Sequence, residues 1–344
     1  MGTKPLVLVM AMASVVFGAS MASGQDALRD LAEARGIAIG AAVAIAPFRT
    51  EEIYGATLAR EFDMIVAENI FKWESIHPSA TAYRFNNPDL LVDFAREHGM
   101  AVRGHTLVWH NQNPGWLLNA EMSRDEAIAV LRDHILTVVG HFKGRVAAWD
   151  VVNEAIDDAT GKLRTDSIWY RTIGADYVAL AFRFAHEADP DAKLYYNDYS
   201  AEAGGRKSDA VYALVKGLLA DGVPIDGVGW QMHLENGATI GKAYRANAER
   251  LADLGLEISI TELDVRIKGK AGPKALATQA KTYGDVVKLC LGATNCKAIL
   301  TWGFTDKHSW IPGFFAGWDN ALIFDRDYAP KPAYDAIRAA LLQK

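Results

Sequence analysis

The stretch VAAWDVVNEAIDD, residues 146–158, begins as a mostly apolar run and stops on Asn153 and Glu154, an amide next to a carboxylate. Both groups are costly to desolvate, so a buried strand that ends on them needs a reason. Seven further runs of similar character recur along the chain: IAIGAAV from Ile37, DMIVAEN from Asp63, AVRGHTLVW from Ala101, AKLYYND from Ala192, GVGWQMH from Gly227, LEISITE from Leu256 and AILTWGF from Ala298. Between them apolar residues recur at helical spacing, over residues 89–97, 124–141, 177–188, 207–219, 245–254 and 275–291. Strands alternating with helices pair in parallel. Eight such units predict an α/β chain folded as a closed (β/α)8 TIM barrel, in a single domain. An open doubly wound sheet is the competing arrangement, but no Gly-rich phosphate turn follows the first run.

Composition agrees with one soluble domain. Half of the 344 residues are hydrophobic and 23% are charged, and no repeat, linker or block of like charge divides them. The first residues differ: Lys4 precedes an uncharged stretch that runs to Ala22, with small residues at Ser20, Ala22 and Gly24. This pattern is expected to be a secretory signal, residues 1–24, removed to leave a catalytic domain over residues 25–344 that is extracellular or periplasmic. A retained membrane anchor is the alternative, since the stretch is nearly long enough to span a bilayer. Once the signal is removed, no membrane association is expected.

The net charge is −6, and loss of Lys4 makes it one unit more negative. Nucleic acid needs a basic patch, so it is not an expected partner. The two cysteines, Cys290 and Cys296, are an even pair in an exported chain, which favours a disulfide over a metal site.

Polar groups gather at the C-terminal ends of the runs. The second leads into Glu68, Asn69 and Lys72, and the third carries His105, Trp109, His110 and Gln112. The fourth ends on Asn153 and Glu154, the fifth on Asn197, Asp198 and Tyr199, and the sixth on Gln231 and His233. The seventh ends on Glu262 and Asp264, and the eighth reaches Trp302, with Trp310 in the following loop. In a parallel barrel these ends converge on one mouth, where barrel enzymes keep their chemistry.

Glu154 and Glu262 are three units apart in a ring of eight and would face each other across that mouth. Two facing carboxylates suit glycoside hydrolysis, one protonated to release the leaving oxygen and the other ionised to attack or to activate water. His233 and Asp264 would form a chain behind Glu262 that favours its ionised form, whereas Asp157 and Asp158 follow Glu154 and would favour its protonated form. No HExxH or paired-Cys spacing points to a metal, and no G-x-S-x-G elbow points to a serine hydrolase. No cofactor is called for. Trp149 and Trp230 sit inside apolar runs and are expected in the core. Trp302, Trp310 and Trp318 fall at or after the last run, where an indole can stack on a sugar face.

The motifs FDMIVAENIFKWESIHP, VRGHTLVWHNQNPGW, WDVVNEAIDD, YYNDY, GVGWQMHL, ISITELDVR, TWGFTDKHSWIP and FDRDYAPKPAYDAI, in this order, resemble glycoside hydrolase family 10, whose characteristic members are endo-1,4-β-xylanases. The resemblance runs from about Ile37 to Leu341. It implies a retaining double displacement with Glu154 as acid/base and Glu262 as nucleophile, their carboxyl groups about 5 to 5.5 Å apart. By the same resemblance Asn153 touches the nucleophile and the 2-hydroxyl of the cleaved sugar, Gln231 stands beside the acid/base, and His233 with Asp264 forms the relay. Glu68, Asn69, Lys72, His105, Trp109 and Gln112 would bind the non-reducing side of the cut. Trp302 and Trp310 would line the central sugar, Tyr199 the leaving-group side, and Cys290 and Cys296 would form a disulfide. Trp230 and Phe71 depart from the commoner Phe and Met.

The expectation is a secreted, monomeric endo-1,4-β-xylanase acting on xylan and xylo-oligosaccharides without cofactor or metal. The alternatives are a β-1,4-glucanase or cellulase on the same scaffold, since only crowding around Lys72, Gln112 and Trp310 would exclude a hydroxymethyl group, and a non-catalytic carbohydrate-binding barrel.

Overall fold

A computed structural model describes residues 26–343. The stretch read as an export signal, residues 1–24, lies outside the described residues. Each strand-forming run carries alternating small or apolar residues that are buried on both faces, as parallel strands covered by helices require. The eight strands are β1 (Ala38–Val43), β2 (Met64–Ala67), β3 (Ala101–Val108), β4 (Ala148–Asn153), β5 (Lys193–Asp198), β6 (Gly227–Trp230), β7 (Glu257–Lys268) and β8 (Cys296–Thr301). Each pairs in parallel with the next, and β8 returns to β1 through Ala38↔Ala298 and Ile39↔Ile299, which closes the barrel.

The longest helix after each strand belongs to the outer ring, and shorter helices such as Ile45–Thr50 and Ile168–Ile173 precede some of them. The helices of the ring are α1 (Glu52–Glu61), α2 (Asn86–Glu97), α3 (Arg124–His141), α4 (Tyr177–Ala188), α5 (Arg206–Ala220), α6 (Lys242–Ala252), α7 (Pro273–Gly292) and α8 (Pro332–Leu342). Local chemistry sets where they start. Ser123 and Glu126 form a reciprocal capping box at the head of α3, and Pro273 and Pro332 occupy first-turn positions where a missing N–H costs nothing. Along α3 the buried residues Ala127, Leu131, Ile135, Val138 and Val139 form one stripe. Truncating Leu131 to Ala there would cost about 2–5 kcal/mol.

The two faces of the sheet have different contents. Ile39, Ala41, Val43, Ile65 and Ile299 join the large core beneath the helices, whereas Ala42, Val66, Ala298, Leu300 and Trp302 form a separate cluster on the opposite face, in the lumen. The lumen is apolar on the β8–β1–β2 side and polar on the other. There Arg103 on β3 pairs with Asp150 on β4, Tyr195 on β5 donates to Glu257 on β7 at 2.6 Å, and Thr261 on β7 donates to Asn197 on β5 at 2.7 Å. Gly229 makes room for this layer, because a Cβ at that position would lie 2.1 Å from Asn197 Oδ1.

The sixth and seventh runs differ from the sequence reading. GVGWQMH is not one strand: β6 ends at Trp230, Met232 takes φ +60°, and a short strand, His233–Glu235, resumes beside Asp264–Arg266 of β7. The left-handed residue re-aims the chain so that Gln231 and His233 leave the barrel wall separately. β7 continues past the reading to Lys268, because Val265 and Ile267 keep its alternation and Trp318–Asp319 pairs against its end. Cys290 and Cys296 are joined in a disulfide that staples the end of α7 to the start of β8. Among the described residues no helix is long and apolar enough to cross a membrane.

Candidate active site

A cleft of about 1130 Å³ opens at the C-terminal ends of the strands. Of the catalytic and binding residues expected from sequence, Glu68, Asn69, Lys72, His105, Trp109, Gln112, Asn153, Glu154, Tyr199, Gln231, His233, Glu262, Trp302 and Trp310 all line it. Asp264 is buried behind it. Among the described residues no three His, Cys, Asp or Glu side chains are grouped as a metal site would need. His105 and His110 part company: His105 is 3.0 Å from Asp150 Oδ2, and His110 is paired with Asn111.

Glu154 follows the last residue of β4 with φ +53°, a conformation uncommon for a side-chain-bearing residue and worth about 1–3 kcal/mol of strain. The turn lifts its carboxyl group off the strand. Trp109 Nε1 donates to Oε2 at 2.8 Å and Gln231 Nε2 donates to Oε1 at 3.0 Å, so the carboxyl plane is fixed from β3 and β6.

Glu262 sits within β7 and is buried. Asn197 Nδ2 donates to its Oε1 at 2.7 Å, and His233 Nε2 donates to its Oε2 at 3.1 Å. His233 Nδ1 donates to Asp264 Oδ2 at 2.8 Å, and that oxygen also accepts from Trp310 Nε1 at 2.9 Å. Burial alone would drive the imidazole neutral, but the carboxylates of Asp264 and Glu262 outweigh it and raise His233 to about 10. It is therefore an imidazolium donating at both ends. Burial likewise pushes the Glu262 carboxyl up, and the hydrogen bond from His233, with the nearby His105, more than cancels that push. The net effect holds Glu262 below the usual carboxylate range, hence ionised.

A line of amides joins the two carboxyl groups. Thr261 holds the Asn197 oxygen, which turns the Asn197 nitrogen toward Glu262 and Asn153 Oδ1 (2.8 Å). That oxygen also accepts from Gln231 Nε2 at 3.2 Å, and Gln231 reaches Glu154.

At one end of the cleft, Lys72 Nζ donates to Asn69 Oδ1 at 3.0 Å and lies 5.0 Å from the Trp109 ring and 5.8 Å from the Trp302 ring. Burial lowers its ammonium against the pull of Glu262, Glu68 and Glu154, and burial raises Glu68. Gln112 donates to Asn69 and Glu74. At the other end Tyr199 presents its ring, with Lys207 Nζ 3.3 Å from the ring centroid.

Two expectations are corrected. Trp318 does not line the cleft: it packs on the cluster of Ile311, Ala321 and Leu322, beneath the Arg266 guanidinium. The aspartates after Glu154 are occupied elsewhere, since Asp157 accepts from Thr160 and Asp158 accepts from Lys207 at 2.6 Å and from Tyr199. Trp149 and Trp230 are in the core as expected, and Phe71 packs edge-on against Trp149.

Three functional neighbours lacked a role in the sequence reading. Asn197 was visible as an amide ending an apolar run, but its bridge to Glu262 needs the register of β5 against its neighbours. Asp150 was signalled by a charge inside VAAWDVV, where it accepts from both Arg103 and His105. Arg164, in the loop after β4, carried no signal.

The sequence model of glycosyl hydrolase family 10 matches residues 27–340. The chain belongs to that family. It is 47% identical over 329 residues to endo-1,4-β-xylanase B of Thermotoga neapolitana, covering 94% of each chain. Its fold is similar to that of xylanase 10B from Thermotoga petrophila in complex with xylobiose, with TM-score 0.90 and 48% identity over 92% of this chain and 98% of that one. An intracellular xylanase from Thermoanaerobacterium saccharolyticum is also similar, with TM-score 0.85 and 40% identity over 92% and 99% of the two chains. This member of family 10 is thus a retaining glycoside hydrolase, and Glu154 and Glu262 both line the cleft at the mouth of its barrel.

Proposed function

We propose that the enzyme is an endo-1,4-β-xylanase in which Glu262 is the nucleophile and Glu154 the acid/base. The observation that carries the assignment of roles is the asymmetry of the pair. Glu262 receives a proton-bearing imidazolium and an amide, which suits a group that must be ionised, whereas Glu154 receives only neutral donors from Trp109 and Gln231.

In the first step Glu262 attacks the anomeric carbon while Glu154 gives its proton to the departing glycosidic oxygen. The Glu262–sugar ester forms as the glycosidic bond breaks. In the second step Glu154 takes a proton from water, whose oxygen displaces Glu262 and leaves the anomeric configuration as it began. Asn153 contacts the 2-hydroxyl of the sugar being cleaved, and the amide line keeps it aligned with both glutamates.

The substrate reading follows from the cleft walls. Glu68, Asn69, Lys72, His105, Trp109 and Gln112 supply donors and acceptors for hydroxyls on the non-reducing side. Trp302 and Trp310 line the central sugar, and Tyr199 takes the first sugar of the leaving group. The names of the relatives, endo-1,4-β-xylanases, support this reading. Residues 1–24 are proposed to direct export and to be removed, leaving residues 25–344 as the mature enzyme; intact-mass measurement of the protein from the culture medium and periplasm tests this.

The functional test compares initial rates on xylan and on a soluble cellulose derivative, for wild type beside Glu262→Ala. Xylan is expected to be hydrolysed faster, and the folded variant is expected to lose nearly all activity. Preference for the glucan would replace the substrate assignment, and substantial residual hydrolysis would remove Glu262 from its role.

A further inference from the structure

We propose that Arg164 is a positioning residue for the proton donor, tying the backbone of Glu154 to the sugar platform Tyr199 through one guanidinium. This rests on the reading of Glu154 as acid/base.

The left-handed turn at Glu154 takes the peptide that follows it out of the β4–β5 ladder, so both of its polar groups need other partners. Both partners are side chains. Ala155 N–H donates to Tyr196 Oη at 3.0 Å, and the Glu154 carbonyl accepts from Arg164 Nε at 3.0 Å. With the peptide held at both ends, the direction in which the Glu154 side chain leaves the backbone is set, and with it the aim of the carboxyl group.

The same guanidinium continues outward. Arg164 Nη2 donates to Tyr199 Oη at 3.1 Å, and Tyr199 in turn donates to Asp158, which lies 3.9 Å from Arg164. Lys207 ties Asp158 to the buried Asp198. The Arg164 side chain is only 13% exposed and lines the cleft between Glu154 and Tyr199. Arginine suits the place because its planar fork presents two donors at a fixed separation, which a lysine ammonium cannot reproduce. A leaving-group sugar resting on Tyr199 and the carboxyl group that must protonate its oxygen are therefore held by one rigid group. Small misplacement of such a group costs rate rather than affinity.

A merely structural staple would lower activity on every substrate alike, whereas a residue that aims the proton donor matters only where a proton is needed. The test measures kcat/KM, which reports the first chemical step, on phenyl β-xylobioside and dinitrophenyl β-xylobioside, for wild type, Arg164→Lys and Arg164→Gln. Dinitrophenolate leaves without protonation and phenolate does not, while both aryl groups occupy the same side of the cleft. Arg164→Lys is expected to fall at least about tenfold on the phenyl substrate and less than about threefold on the dinitrophenyl one. Equal loss on both substrates, or no loss on either, would overturn the proposal. If Arg164→Gln does not fold, the charge-preserving Lys variant decides alone. Glu154→Ala serves as the reference: if it shows no selectivity between leaving groups, the acid/base assignment itself fails, a result separate from any behaviour of Arg164.

Discussion

His233 Nε2 lies 3.1 Å from Glu262 Oε2, and this contact keeps the buried Glu262 ionised. Burial favours the neutral acid of Glu262, and the imidazolium reverses that preference. His233→Asn removes the cation and leaves burial in command, so the Glu262 carboxyl titrates at higher pH. The acid limb of kcat/KM on an aryl xylobioside is expected to move to higher pH, with the plateau lowered by about 10²-fold. An acid limb that stays in place would show that His233 does not set the ionisation.

The Asn197 bridge depends on a missing side chain. Gly229→Ala would place a methyl group 2.1 Å from Asn197 Oδ1 and 3.0 Å from Thr261 Cγ2, so Asn197 must turn away from Glu262 and Asn153. We expect kcat on xylan to fall about tenfold or more and stability to drop by about 1–3 kcal/mol, measured by steady-state kinetics and denaturant unfolding. Unchanged kcat would mean that Asn197 is dispensable to the alignment.

Beneath the site, Arg103 and Asp150 are fully buried with a contact of 2.5 Å. Asp150→Ala leaves an uncompensated guanidinium and removes the partner of His105, and is expected to cost about 3–5 kcal/mol in denaturant unfolding. The double replacement Arg103→Met with Asp150→Leu removes both charges and is expected to recover most of that loss. A double variant as unstable as the single one would show that packing, not the unpaired charge, is responsible.

The disulfide closes a loop of six residues' separation, far from the cleft. Chain-entropy arguments give it about 2 kcal/mol. Replacing both Cys290 and Cys296 with Ser is expected to lower unfolding stability by about that amount and to leave xylan hydrolysis unchanged; a loss of activity at a temperature where the variant is folded would contradict a purely structural role.

Much of this was legible in the sequence because barrel strands write their own pattern. The run from Val146 to Asn153 is apolar because both faces of β4 are covered, and Glu154 is abrupt because the chain leaves the barrel there. Taken as an ordered set, the motifs therefore located the cleft residues from Glu68 to Trp310, but not Arg164, Tyr244 or Arg266, which also line it. What escaped depends on register and on backbone direction. Met232 looks like the interior of a strand in GVGWQMH, and only its left-handed φ separates Gln231 from His233. Asp157 and Asp158 were expected to act on Glu154 as neighbours in sequence, but the turn sends them to Thr160, Lys207 and Tyr199 instead. Arg164 lies in an irregular loop, and nothing in its local pattern says that it reaches back to the Glu154 carbonyl. Trp318 shared the composition of a sugar-stacking aromatic, yet the pairing of residues 318–319 with β7 turns it onto a separate apolar cluster.

The central claim is that Glu262 forms a bond to the sugar. A xylobioside carrying fluorine at carbon 2 and a dinitrophenyl leaving group reacts in the first step but is slow in the second, so a covalent intermediate accumulates. After proteolysis, mass spectrometry is expected to find the fluoroxylobiosyl group on the peptide containing Glu262, attached to that residue. Attachment to Glu154, or turnover with no adduct and with inversion at the anomeric carbon, would contradict the account.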